Sequence, residues 1–219
     1  SAEDKKMVNG LFWNSFLLEA SYNYERQQAL GFSVGMWPAI KRFYKTKEGQ
    51  AEALKRHMAI FNTTPHMVSV ISGVTAAMEK EASENKDFDK DIINNVKVGL
   101  MGPLAGIGDS FFWGTLRIIA AGIGLSLAQQ GSVLGAILFL IIFNVPHLLI
   151  RYYGTVLGYQ FGAGLMSNSK SAGILKMISK GASIVGLMVI GAMSASMVAM
   201  KTPLTFTIGE TAFELQGYL

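Results

Sequence analysis

Asp109 and Arg117 are the only charged residues between Val98 and Ile150, and ionisable groups inside so long an apolar stretch are costly enough to be functional candidates. They lie in 97–117, KVGLMGPLAGIGDSFFWGTLR, where Gly99, Gly102, Pro103, Gly106 and Gly108 interrupt the apolar run. Glycine and proline free backbone groups that a membrane tolerates only inside protein or beside a wet cavity. A broken, re-entrant helix beside a substrate path is therefore expected. Asp109-Ser110 ahead of Phe111-Phe112-Trp113 is equally a helix N-cap, worth about 1 kcal/mol, and from chemistry alone the two readings stand level. If 110–117 is helical, ~12 Å of rise separates Asp109 from Arg117, so each needs another partner.

A second polar group lies in 21–32, SYNYERQQALGF, where Asn23, Glu25, Arg26, Gln27 and Gln28 surround Tyr22 and Tyr24. Sugars ask for this mixture: amides and carboxylates bind hydroxyls in pairs, and an aromatic ring covers the apolar face of a pyranose. A solvated helix face has the same composition. The candidate substrate-binding residues are Asn23, Glu25, Arg26, Gln28 and Asp109. Arg26 is expected to hold Glu25 or Asp109 rather than to touch the ligand, because an unpaired arginine in a dry site is expensive. No catalytic residue, cofactor or metal site is expected. His57 and His66 lack ligand spacing with other His, Asp or Glu and read as structural histidines. With no cysteine, disulfides, thiolate metal sites and thiol nucleophiles are excluded.

The elements that must position these residues divide by charge. Of 19 Lys and Arg, 13 lie at or before Lys97, and 12 of 15 Asp and Glu do. The first part, 1–96, is thus water-compatible and the second membrane-like. Scattered lysines without an arginine-rich block argue against nucleic acid as a partner. The expected class is an all-α membrane protein: amphipathic and interfacial helices in 1–96, a membrane domain in 97–200 and an extracellular segment in 201–219.

Apolar residues at helical spacing from Trp13 through Phe16, Leu17, Ala20 and Tyr24 predict an amphipathic helix there. A second stripe, Ala51, Leu54, Met58 and Phe61, predicts another, with Glu52, Lys55 and Arg56 turned away. Asn62-Thr63-Thr64-Pro65 reads as a stop and a new start. The run 67–78 has only 12 residues, too few for the ~30 Å hydrocarbon core, so it is interfacial, re-entrant or buried in protein. A polar connector, 79–91, follows, with Asp91 placed to cap the next helix. Spans are expected at 111–129, 132–150 and 181–200, the first two antiparallel across a tight turn. Arg151-Tyr152-Tyr153 reads as an interfacial anchor, and His147 as a polar residue near the interface. The positive-inside rule places 1–96 in the cytoplasm and 201–219 outside, where TFTIGETAFEL alternates like a small β-hairpin about Gly209-Glu210.

SYNYERQQALGF, HMAIFNTTP, VKVGLMGPLAGIGDSFFWGTLR and RYYGTVLGY, in this order, resemble the D subunit of mannose-family sugar phosphotransferase systems, enzyme IID. The resemblance runs through nearly the whole chain, and GLMGPLAGIGD is too long and undegenerate for chance. It implies a multi-pass protein of the bacterial inner membrane that pairs with a C subunit (IIC), the C–D pairs assembling as a trimer. It further implies transient cytoplasmic A and B components that carry the phosphate, a hexose substrate moved by an elevator-like motion, and no phosphorylated residue in this chain. Some mannose systems also serve as bacteriocin receptors. A scaffold role, with the sugar site wholly in the C subunit, is the alternative. The family commonly has proline where this chain has Ser110 and Ile118 and arginine where it has His147, and its members usually continue into a final membrane segment.

Overall fold

The computed structural model describes residues 1–166, the helical positions Lys180, Ile184, Met188 and Gly191, and the backbone of 205–208 and 211–214. Helix α1, Ala2–Asn14, starts at a capping box: Asp4 N–H donates to Ser1 Oγ at 3.2 Å while the Asp4 carboxylate accepts from the Ser1 ammonium at 2.9 Å. It buries Met7, Val8 and Leu11. The helix expected from Trp13 onward does not form. The chain tightens into one 3₁₀ turn, Ser15–Leu17, because α2 (Ala29–Gly35) packs on it so closely that a Cβ on Gly31 would meet Leu17 O at 2.8 Å.

Two further short helices follow, α3 (Trp37–Phe43), with Pro38 in its first turn, and α4 (Lys47–His57), whose N-cap Thr46 Oγ1 accepts from Gly49 N–H at 3.2 Å. The buried face of α4 is Ala53 and His57 rather than the predicted stripe, for Ala51 is exposed. Arg56, expected to turn outward, folds inward instead. The reason is a carboxylate, Glu79, that the neighbouring helix brings inside.

That neighbour, α5 (Val68–Glu84), is the centre of the described fold, with 12 of its 17 residues buried. Of the three settings expected for this stretch it takes burial within protein. The helix also runs past the predicted 67–78, so Glu79 belongs to the core rather than to a polar connector.

Helix α6, Asp91–Gly108, starts without a side-chain cap: Asp91 is its first residue, and Asp91 N–H donates to Asp89 Oδ1 at 3.0 Å. The break expected at the glycines and proline of 97–117 is absent. The helix widens into a π-helical stretch, Asp109–Leu116, and continues as α7, Arg117–Gln129, so that 39 residues run unbroken. Pro103 lies inside the helix, and the residue before it, Gly102, has no Cβ for the ring to crowd. The widening shows in its bonds: Arg117 N–H donates to Phe112 O, five residues back, and Thr115 Oγ1 donates to Ser110 O at 3.0 Å.

A tight turn through Gly131, at φ 76°, leads into α8, Leu134–Met166. Helices α7 and α8 are antiparallel and cross where Gly124 faces Gly135; a Cβ on Gly124 would lie 3.0 Å from Gly135 O. Pro146 does not end α8, which passes the expected limit at 150 and lies along α5. Gly73, Gly154 and Gly162 let the backbones meet: a Cβ on Gly73 would lie 2.6 Å from Tyr159 N, and one on Gly162 3.0 Å from Val74 O. Beyond this seam the hairpin presents Ile118, Leu125, Leu134, Leu140 and Leu149 to its surroundings.

The two long helices, Asp91–Gln129 and Leu134–Gly164, have the length and apolar composition to cross a membrane. The third expected span, 181–200, lies largely outside the described residues. Thr205–Ile208 pairs antiparallel with Thr211–Glu214, Thr205 opposite Glu214 and Ile208 opposite Thr211.

Candidate functional site

The segment 60–66 leads from the short helices into α5, held by one isolated β-bridge, Gln27 with Phe61, and by side chains. On one side Gln28, buried in the structure, accepts from Thr63 N–H through Oε1 at 2.9 Å, and its own backbone N–H donates to Phe61 O at 2.9 Å. Its Nε2 donates to Glu19 Oε1 at 3.4 Å. On the other side Thr63 Oγ1 donates to Met101 O at 3.1 Å, and Thr64 Oγ1 lies 2.7 Å from Asp109 Oδ1 and 2.9 Å from Ala105 O. The Thr64 hydroxyl has one proton, so at any moment it serves one of the two. Gly108 gives it room, since a Cβ there would sit 2.6 Å from the Thr64 side chain.

Of the predicted site residues, Gln28 and Asp109 are thus brought together through Thr63 and Thr64. Asp109 sits mid-helix with no capping hydrogen bond from its side chain, which removes the N-cap reading. Arg117 is exposed, with its guanidinium 5.2 Å from the Trp113 ring centroid. Asn23, Glu25 and Arg26 stand apart on an exposed loop, where Asn23 Oδ1 accepts from Arg26 N–H at 2.8 Å. Among the described residues no ion pair joins Arg26 to Glu25 or Asp109, contrary to expectation, because Arg26 faces out while Asp109 bonds inward to Thr64. The loop is still a built feature: Gln27 takes a left-handed φ of 53°, and Asn23 and Gln27 exchange backbone hydrogen bonds of 2.8 and 3.2 Å.

Sequence reasoning missed two constellations. The first surrounds Arg151, expected at the membrane interface but only 3% exposed. Its Nη1 donates to Ser15 Oγ at 3.0 Å and its Nη2 to Pro65 O at 2.6 Å, while the guanidinium lies 4.3 Å from the Phe16 ring centroid. Beside it His66 stacks on Phe112, with centroids 4.0 Å apart and planes 15° from parallel, and meets the His147 ring edge-on at 4.6 Å. Burial drives His66 down to about 3, with His147 and Arg151 adding to the effect, so its ring is neutral. Phe16, Glu19, His66, Trp113, His147 and Arg151 line a half-open cavity of about 220 Å³.

The second is a buried charge network between α3, α4 and α5. Glu79, wholly buried, accepts from Arg56 Nε at 2.9 Å and Nη2 at 3.0 Å and from Tyr44 Oη at 2.7 Å. His57 Nε2 lies 3.0 Å from Glu79 Oε1 but off the line of a hydrogen bond. Burial pushes the Glu79 carboxyl up, yet its bonded neighbours outweigh burial and hold it at about 2. Burial pulls the His57 ring toward its neutral form against the attraction of Glu79. Lys97 is buried as well, its Nζ 5.4 and 5.9 Å from the ring centroids of Phe32 and Phe61. Among the described residues no three His, Asp or Glu side chains are grouped to hold a metal ion.

Comparison with known proteins fits this geometry. The model of the family described as "PTS system mannose/fructose/sorbose family IID component" matches residues 4–219. The mannose-specific EIID component of Escherichia coli (strain K12) is 43% identical over 198 residues, covering 90% of this chain and 70% of that protein. The sorbose-specific EIID component of Klebsiella pneumoniae is 45% identical, covering 92% of this chain and 75% of that protein. The fructose permease IID component of Bacillus subtilis (strain 168) is 42% identical, with 91% and 72% covered. A chain of the cryo-EM structure of the mannose transporter ManYZ with microcin E492 superimposes with a TM-score of 0.84 at 42% identity, covering 92% of this chain and 74% of that one. The chain therefore belongs to the IID components of the mannose/fructose/sorbose phosphotransferase family, membrane components of sugar permeases, with two long apolar helices suited to spanning the bilayer.

Proposed function

We propose that this chain is the D half of a permease pair that carries a hexose across the membrane together with a C subunit, for phosphorylation by a cytoplasmic B component. The carrying observation is the segment 60–66, which ties the hairpin to the short-helix layer through Thr63 and Thr64 and so couples Gln28 to Asp109. Such a joint transmits movement of one body to the other while keeping polar groups paired. Relatives named for mannose, sorbose and fructose match at 42–45% identity, which supports hexoses as the substrate class and leaves the particular sugar to a few hydroxyl partners. In this reading Gln28 and Asp109 position the pathway, and Asn23, Glu25 and Arg26 contribute from the exposed loop, covered in the C–D assembly. That assembly is a trimer of C–D pairs. Residues 1–96 face the cytoplasm and 201–219 the outside.

The test is sugar phosphorylation in membranes supplied with phosphorylated B component. Asp109→Asn and Glu25→Gln should lower it several-fold while the C subunit still co-purifies. Wild-type rates in both would leave the sugar site to the C subunit alone. Labelling of Ser83→Cys from outside sealed cells would overturn the orientation. The relative solved with microcin E492 supports a second use of this chain, as part of a bacteriocin receptor. Deleting it should then protect cells from a bacteriocin that binds such permeases.

A further inference from the structure

We infer that Arg117 is an interface residue: in the assembled permease its guanidinium pairs, deep in the bilayer, with a carboxylate on a membrane helix of the C subunit. The inference rests on the permease reading and goes beyond it by naming a surface and the chemistry that meets it. Depth is set by the helix that carries the residue. Exposed apolar side chains line it from Ile107 through Phe111, Ile118 and Ile119 to Leu125, a rise of roughly 27 Å against the ~30 Å hydrocarbon core. Arg117, itself exposed, stands roughly 15 Å from one end of that stretch and roughly 12 Å from the other. Arginines that reach the headgroups by bending along the membrane normal sit near helix ends, so this one needs a partner at its own depth.

The residues at hand do not supply that partner. Among the described residues Arg117 has no hydrogen bond or ion pair, and its head rests on the Trp113 ring, 5.2 Å from the centroid. Asp109, on the same helix, is turned inward to Thr64. The sequence carries no Asp or Glu from Ser110 to Gly209, a stretch that includes the third expected span, 181–200. A wet path does not fit the surroundings either: Phe111, Ile118 and Ile119 are apolar, and the adjacent Thr115 hydroxyl already donates to Ser110 O at 3.0 Å. Another helix can come close on this face. Gly114 lies one turn before Arg117, where a Cβ would meet only Asp109 O at 3.7 Å, and the exposed Ala121 lies one turn after it. The planar fork of guanidinium donors matches the two oxygens of a carboxylate, and a membrane neighbour can hold such a group where lipid phosphates do not reach.

The experiment uses the co-expressed C–D complex. Arg117→Glu sets two carboxylates face to face and should cut recovery of the C subunit with this chain by about tenfold. Replacing one Asp or Glu in the membrane segments of the C subunit by Lys should restore it. Arg117→Lys keeps the charge and gives a second reading on an assembled complex: a membrane-permeant carbodiimide should join its amine to that same carboxylate, and mass spectrometry should find the linked peptides. Undiminished recovery with Arg117→Glu, failure of every Lys replacement to rescue it, or a cross-link that is absent or confined to this chain would overturn the inference. Loss of a bound anionic lipid as the sole effect of Arg117→Glu would overturn it in favour of a lipid contact. A wild-type chain that does not recover the C subunit at all would instead overturn the permease reading itself.

Discussion

Replacing Glu79 by Gln tests the buried network quantitatively. The side chain keeps its shape and an acceptor for Tyr44, but Arg56 is left with only Glu52, 3.8 Å away, and Lys97 loses the attraction of the buried carboxylate. The carboxyl falls from 4.5 to about 2 on folding, and a shift of that size is worth about 3 kcal/mol. Breaking a buried pair on one side costs roughly 3–5 kcal/mol by general experience, so the two routes agree. For a chain of this length the loss translates to a midpoint about 6–12 °C lower in a thermal melt of the C–D complex at pH 7. The pH dependence has a definite sign. The folded value lies below the unfolded one, so the stabilisation is complete above pH 4.5 and is lost as pH falls towards about 2. His57, whose folded value also lies below its ordinary one, adds a separate loss that starts near pH 6.5. Between pH 5 and 3 the wild type should therefore lose stability faster than Glu79→Gln. A variant that melts within about 2 °C of wild type, with the same pH slope, would refute the assignment of Glu79 as a stabilising ionised core group.

Gly73→Leu should separate α5 from α8, because atoms beyond Cβ would have to enter the Thr155 and Tyr159 backbone; accumulation of the complex in membranes should fall several-fold, while Gly122→Leu, with nothing within 4 Å of its Cβ position, should accumulate normally in immunoblots. Gln28→Ala leaves Thr63 N–H without its acceptor, at roughly 1–3 kcal/mol, and should lower the melting midpoint of the complex. Arg151→Lys keeps the charge but cannot reach Ser15 and Pro65 together from a fixed fork; protease nicking at 60–66 should speed up, a change absent from Arg117→Lys.

The sequence exposed the family and the two long apolar runs because both are written in contiguous residues. Length and composition alone placed spans at 111–129 and 132–150, and the two residues between them left room only for the turn through Gly131. What stayed hidden is what depends on distant partners. Arg151 looked like an anchor beside two tyrosines, yet its partners, Ser15 and Pro65, lie 136 and 86 residues away. Glu79 opened a polar stretch in the sequence, and its partner Arg56 is 23 residues earlier on a face that the apolar stripe had assigned to water. The continuity of α6 was legible in principle. Gly102 directly before Pro103 has no Cβ for the proline ring to crowd, but counting glycines as breakers obscured this use as relief.

The one-proton hydroxyl of Thr64 gives Asp109 a role that neither of its two sequence readings contained. Ala105 O lies in α6, whereas Asp109 opens the π-helical stretch, and Thr64 stands within hydrogen-bond distance of both. The Asp109 oxygen is the nearer acceptor, at 2.7 Å against 2.9 Å for Ala105 O, so the hydroxyl turned to it locks 60–66 to the start of the widened turn. When Asp109 is drawn to another donor, the hydroxyl turns to Ala105 O without either side chain being left unpaired. The joint therefore has two hydrogen-bonded settings separated by a hydroxyl rotation, one gripping the π-helical stretch and one releasing it. Phe112 and Trp113 lie on that stretch and face His66, so a shift there moves a wall of the Arg151 cavity. Asp109→Asn retains an amide oxygen as acceptor and keeps the grip weakly, while Asp109→Leu leaves only Ala105. The physical order of sugar uptake should accordingly be wild type, then Asn, then Leu, with assembly unchanged; equal uptake in Asn and Leu variants would separate the carboxylate from the movement of the wall.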